Sequence, residues 1–166
     1  IAVLPAFDER FDRFWEYVRS RRDVLNTVRT REMLAWRFKN QLAKDRVRII
    51  GAAENGRLTG YVIATVVPRE HLGLVQYRIV DLQAEDEDPA LVRDLILATV
   101  AQARKEGVHL VELIGFSAAK RAVARELQPM EYHNPVWQFF YKSNRRELTE
   151  ALRAPSAWDV SGLDSD

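Results

Sequence analysis

The sequence predicts an α+β fold: a mixed, mostly antiparallel sheet with helices on both faces, in three layers. Three observations predict it. An Asn55-Gly56 turn joins two apolar runs, 47–53 and 58–67, and Asn-Gly tolerates the positive φ that a tight hairpin needs. An Asp88-Pro89 helix start lies between two further runs, 75–83 and 108–114, so a helix makes the crossover that parallel strands require. The 166 residues and 47% apolar content suffice for one core and one domain, 1–166.

The elements follow in order. Residues 1–4 are a short edge strand, which Pro5 ends because its ring removes a donor. Asp8 opens a helix in which Phe11, Phe14, Trp15 and Val18 recur at helical spacing. A second helix, 30–43, carries the stripe Leu34, Phe38 and Leu42, with Trp36 nearly opposite it. The hairpin strands come next, then a loop at 68–73 and a strand at 75–83. Glu85, Asp86, Glu87 and Asp88 form an acidic loop. The helix after Asp88 runs to Gly107, a residue suited to end it. The run 108–114 is apolar on both faces apart from His109 and Glu112, which predicts a central, covered strand. Ser117 caps a short helix ending near Leu127, and 135–141 is an aromatic-rich strand. The tail, 155–166, is mostly polar and predicted to be loosely held, with Trp158 able to dock.

Composition narrows the function classes. The absence of cysteine excludes a disulfide framework, a Cys-ligated zinc and a Cys nucleophile, and fits a cytoplasmic location. Net charge is +1, so no global field points to nucleic acid or a membrane surface. No apolar run reaches the roughly 20 residues of a membrane helix. His71, His109 and His133 lack ligand spacing, so no metal site is predicted. Between Arg19 and Lys39 seven basic residues face only Asp23 and Glu32. Charged helix faces are usually solvated, and nucleic-acid binding is not predicted. The chain begins at Ile1 rather than Met, which is expected of a piece cut from a longer protein with a second domain; a homodimer is the alternative.

The element order, with the stretch Gly51-Ala-Ala-Glu-Asn-Gly-Arg-Leu-Thr-Gly-Tyr-Val-Ile-Ala64, resembles the GNAT N-acetyltransferases. The resemblance spans Ile1 to about Tyr141. It implies acetyl-CoA or another acyl-CoA as co-substrate, lying in a V-shaped gap between the strands 75–83 and 108–114. A small-molecule amine or amino-sugar acceptor would enter from the side of the first two helices. The family's pyrophosphate loop, Q/R-x-x-G-x-G/A, is not matched: Glu87, Ala90 and Val92 stand at its basic and glycine positions. Acids there would repel a phosphate, and an Asp88 cap would occupy the N–H groups it needs.

Candidate site residues follow. Glu112, in an otherwise apolar strand, is the candidate general base; a Glu paired with an Arg is the alternative. Asp81 would hold the amine or act through water, or form a salt bridge with Arg78 or Arg121. Tyr132 would replace the acid Tyr that relatives carry in the helix matching Lys120 to Leu127. Backbone groups of Leu82, Gln83 and Ala84 would polarise the thioester. Ala90 and Ser117 fall at cofactor-binding positions, Ser117 doubling as a helix cap. Arg37 suits a carboxylate or phosphate, and Trp36 a flat group such as a sugar. The competing reading is a catalytically degenerate GNAT-like domain that binds a ligand or protein. A basic residue in the gap, such as Arg93, Lys120 or Arg121, would favour the enzyme; acids lining it would favour the binding module.

Overall fold

The computed structural model describes residues 1–132 and 142–164. Five strands form one sheet in the order β1 (Ala2–Leu4), β2 (Val47–Glu54), β3 (Arg57–Arg69), β4 (Leu74–Ala84) and β5 (Leu110–Leu113). The first three pairings are antiparallel, and β4–β5 is parallel. At the β2–β3 turn, Asn55 (φ 50°) and Gly56 (φ 77°) adopt the left-handed geometry foreseen from their side chains.

Each face of the sheet carries its own core. On one face α4 (Pro89–Lys105) and α5 (Ala118–Glu126) cover Ile50, Val62, Tyr77, Ile79 and Leu82. On the other, α1 (Glu9–Arg21) and α2 (Arg31–Arg37) set Phe11, Phe14 and Leu34 against Ile49, Tyr61, Ile63 and Val80. Burying each such side chain contributes about 1.5–3 kcal/mol before entropy is charged. Gly60 lets α4 approach the hairpin closely: a Cβ there would lie 2.9 Å from the Gln83 carbonyl and 3.0 Å from Leu95. The caps match their residues. Asp8 accepts the Arg10 N–H, Asp88 the Ala90 N–H and Ser117 the Lys120 N–H.

Four expectations need correction. The predicted helix 30–43 breaks at Phe38 (ψ 10°) into α2 and a short α3 (Lys39–Leu42). The break lets Phe38 bury beside Phe7, with ring centroids 6.1 Å apart. The predicted loop 68–73 is mostly ordered, since β3 runs on to Arg69 and a 3-10 turn (Glu70–Leu72) closes on Gly73. β5 is less covered than expected, with Leu110 48% exposed, and among the described residues it is the last strand of the sheet. The strand expected at 135–141 lies outside the described residues. The tail is not loose. After α6 (Arg146–Ala151) it packs onto the sheet, burying Asp159, Ser161 and Leu163. The Trp158 indole N–H donates to the Leu152 carbonyl at 2.8 Å.

Candidate functional site

A bulge creates the site. Ile63 faces Asp81 and Ala64 faces Ile79, so Val80 is an extra residue in β4. Bulges bend a strand and often end its pairing next to active sites. Here pairing with β5 stops at Ile79–Leu113, and β4 runs on to Ala84 without a β5 partner. Past β5, Gly115 (φ 83°) and the buried Phe116 (φ 73°) are both left-handed and turn the chain into α5. Left-handed geometry at a non-glycine costs about 1–3 kcal/mol and persists only where surroundings enforce it.

The tail lies across the gap this opens. Ser161 pairs with Gly115. A Cβ at Gly162 would stand 3.2 Å from Val80 Cα, so the tail's main chain lies directly on the bulge.

Two buried polar clusters meet there. Asp81, fully buried, accepts Arg29 Nε–H at 2.9 Å, the Tyr61 hydroxyl at 2.9 Å and the Gln83 amide at 3.2 Å. The Ser161 hydroxyl adds a 3.4 Å contact. Burial, then Asp81, pushes the Tyr61 phenol well up. Burial opposes charge on Arg29, but Asp81 more than offsets it and raises that guanidinium. In the second cluster Asp159 accepts from Arg22 at 2.8 Å and lies 3.4 Å from Lys120 Nζ. Burial pulls the Lys120 ammonium down against the attraction of Asp159 and Asp81. Burial would raise the Asp159 carboxyl, but Lys120 and Arg22 hold it below its ordinary range. Lys120 belongs to α5, on the α4 face, while Arg22 follows α1 on the opposite face. The Lys120–Asp159 pair therefore crosses the sheet through the gap.

The acidic turn Glu85–Glu87 is paired, and its Glu87 shares Arg22 with Asp159. Glu85 pairs with Arg57 at 2.5 Å, Asp86 accepts the Tyr17 hydroxyl at 3.2 Å, and Glu87 pairs with Arg22 at 3.1 Å. Arg57, by hydrogen bonding, lowers the Glu85 carboxyl despite partial burial. The expected like-charge cluster is thus neutralised by α1 and the hairpin. Part of the basic stretch 19–39 is likewise paired: Arg22 to Asp159, the buried Arg29 to Asp81, and the exposed Arg31 to Asp12.

Beside the bulge, on the α2 face, is a cavity of about 330 Å³. Arg37, Phe38 and Gln41 line one wall, Thr65, Arg78 and Val80 the floor, and Gly162 and Leu163 the far side.

The other sequence candidates disperse. Glu112 is half-buried and accepts from Arg78 at 2.9 Å and from Gln76 at 2.8 Å, the paired alternative rather than an isolated buried acid. Asp81 pairs with Arg29, not Arg78 or Arg121. Leu82 and Ala84 are core, and Gln83 braces Asp81. Ala90 and Ser117 serve the helix caps. Trp36 is 69% and Tyr132 84% exposed, and neither joins the cluster. Arg37 reaches the cavity and donates to the Leu163 carbonyl at 3.3 Å. Of the basic candidates for the gap, Lys120 enters it; Arg93 pairs with Glu126, and Arg121 donates to the Phe116 carbonyl. Arg29, Tyr61, Asp159 and Ser161 were not foreseen, because only the tertiary fold brings them to Asp81 and Lys120. Among the described residues no acidic or histidine group could hold a metal, and no helix is long and apolar enough to cross a membrane.

No protein-family model matches the chain, and no curated protein matches it. Solved structures do. An aminoglycoside acetyltransferase from an uncultured soil metagenomic sample, in complex with sisomicin, matches at TM-score 0.60 and 16% identity, over 86% of this chain and 95% of its own. A ribosomal-protein-alanine N-acetyltransferase from Brucella melitensis biovar Abortus 2308 matches at 0.60 and 16%, over 83% and 96%. Glucosamine-6-phosphate N-acetyltransferase from Arabidopsis thaliana matches at 0.60 and 15%, over 84% and 98%.

Proposed function

We propose that this chain, which has the GNAT acetyltransferase fold, is an acyl-CoA-dependent N-acyltransferase acting on a small amine or amino sugar. The observation that carries the reading is the Val80 bulge, which ends β4–β5 pairing beside a cavity large enough for a small acceptor. Pairing with Arg57 and Arg22 weakens the electrostatic objection to an anionic donor. When bound, the donor supplies an activated acyl group. The chain's own part is to seat the acceptor in the cavity and to accept its proton, for which Glu112, facing Arg78 across β4–β5, is the candidate.

The residues fit the donor in architecture but not in this arrangement. Lys120 and Asp159 stand in the gap, so a donor enters only as the tail withdraws. That same pair favours a second reading, a GNAT-like binding module without catalysis.

Calorimetric titration with acetyl-CoA, and with desulfo-CoA as control, tests both. Because the chain has no cysteine, CoA release over a panel of amines can be followed by thiol detection without background. Micromolar binding and thiol release support the enzyme. No heat up to millimolar ligand, for the whole chain and for a Lys120→Ala variant, supports the binding module.

A further inference from the structure

We infer that the cavity beside Val80 takes an acceptor bearing a carboxylate or phosphate as well as its amine. This deepens the acyltransferase reading and rests on it for the word acceptor. Two guanidinium groups, Arg37 and Arg78, line the cavity, and among the described residues no carboxylate does. Glu112 is the acid nearest in the hydrogen-bond network, and it takes only the Nε–H of Arg78. The terminal nitrogens of Arg78, which is 37% exposed as a side chain, have no partner among the described residues. A guanidinium presents parallel N–H donors in the geometry that a carboxylate or phosphate accepts. Arg37, which donates to the Leu163 carbonyl, adds a second guanidinium to the lining.

A further group asks for the other half of such a ligand. The Gln41 side-chain oxygen lines the same cavity, shielded from solvent and without a donor among the described residues. Shielded acceptors are nearly always satisfied, and an unpaired one facing a cavity has room for a donor from water or from a ligand. An ammonium or hydroxyl supplies that donor. Phe38, Val80 and Leu163 add apolar surface to the lining. The site thus reads as donors for an anion, an acceptor for an amine or hydroxyl, and apolar surface beside them. Because Val80 is both cavity floor and bulge, a ligand held here lies against the mouth of the gap.

The test measures binding to the whole chain by calorimetry, without acyl-CoA, so that a failure of donor binding leaves it readable. Two probe pairs separate the sources of the anion: glucosamine 6-phosphate against glucosamine, and serine against serinamide. The expected result is that the anionic member of one pair binds about tenfold or more tighter than its partner. That preference should weaken as salt is raised. Arg78→Met should reduce it to within about twofold, and Gln41→Leu should weaken both members of the pair alike. Thermal melts confirm that each variant is folded, and Arg37→Met serves as the second cavity variant should Arg78→Met melt early. Equal binding within both pairs, no binding by any of the four probes, or a preference that survives in both arginine variants overturns the inference.

Discussion

Lys120 Nζ lies 3.4 Å from Asp159 Oδ1, both side chains are 1% exposed, and the pair ties α5 to the tail across the sheet. Removing one member of a buried pair leaves a desolvated charge, at a cost of about 3–5 kcal/mol. Lys120→Met should therefore destabilise strongly, although Arg22 still compensates Asp159 and keeps the loss near the low end. Adding Asp159→Leu should not add the full second penalty, since neither charge is then stranded. Urea unfolding of the two single variants and the double variant gives the coupling. Additive losses would mean that the pair contributes nothing.

The Asp81 cluster sets a second expectation. Arg29 is buried with Asp81 as its ionic partner, so Asp81→Asn should cost about 3 kcal/mol or more. Tyr61→Phe removes a neutral donor from a carboxylate that keeps Arg29 and Gln83, and should cost nearer 1–2 kcal/mol. Denaturant midpoints should rank Asp81→Asn well below Tyr61→Phe. The reverse order would show that Arg29 finds another anion.

Local chemistry was legible in the sequence, and long-range pairing was not. The Asn55-Gly56 hairpin and the caps at Asp8, Asp88 and Ser117 each depend on residues a few positions apart. The order of strands followed from them. Asp81 was recognisable as a candidate, but which arginine reaches it was not: Arg29 lies 52 positions away, nearer candidates notwithstanding. The acidic run 85–88 read as repulsive because its partners, Arg57 and Arg22, sit on other elements. The tail looked loose because two of its buried residues, Asp159 and Ser161, are polar and Leu163 stands alone beside them. Asp159 and Ser161 are buried by partners of their own rather than by hydrophobicity, and periodicity does not register that.

Acid should weaken the fold in a defined window. Burial would raise Asp159, but Lys120 and Arg22 lower it from the ordinary 3.8; Arg57 lowers Glu85 from 4.5 against partial burial. For groups lowered by folding, the unfolded chain binds more protons, so the stability they contribute is full above the unfolded value. It is lost as pH falls through the folded one. Thermal midpoints should hold above about pH 5 and fall progressively below pH 4. The fall should be shallower in Asp159→Asn, because that variant has already lost the linkage. Since Glu85 is the more exposed side chain, its share should be the smaller. A midpoint independent of pH down to 3 would contradict the ionised pairing of Asp159.

Glu112 gives a kinetic expectation within the acyltransferase reading. As proton acceptor, its replacement by Gln should lower kcat by about 100-fold or more while leaving acetyl-CoA affinity within a few fold. As a mere brace for Arg78, it would instead raise the acceptor KM with kcat nearly unchanged. Steady-state thiol release over both substrates separates the two roles.

Lys120→Ala should move stability and donor binding in opposite directions. The substitution empties the gap of the side chain that crosses it and releases the tail from one of its two ionic anchors, leaving Arg22. Stability should fall by several kcal/mol for the reasons given for the buried pair. Acetyl-CoA affinity should nevertheless rise, by about tenfold if the closed tail has been withholding some 1.4 kcal/mol of binding free energy. Calorimetry on the folded variant, below its melting temperature, reads this directly. Lys120→Arg keeps charge and bulk in the gap and should bind no better than the parent chain. If the Ala variant binds no more tightly while still folded, the tail is a fixed part of the domain, and the gap of this fold has been given over to structure.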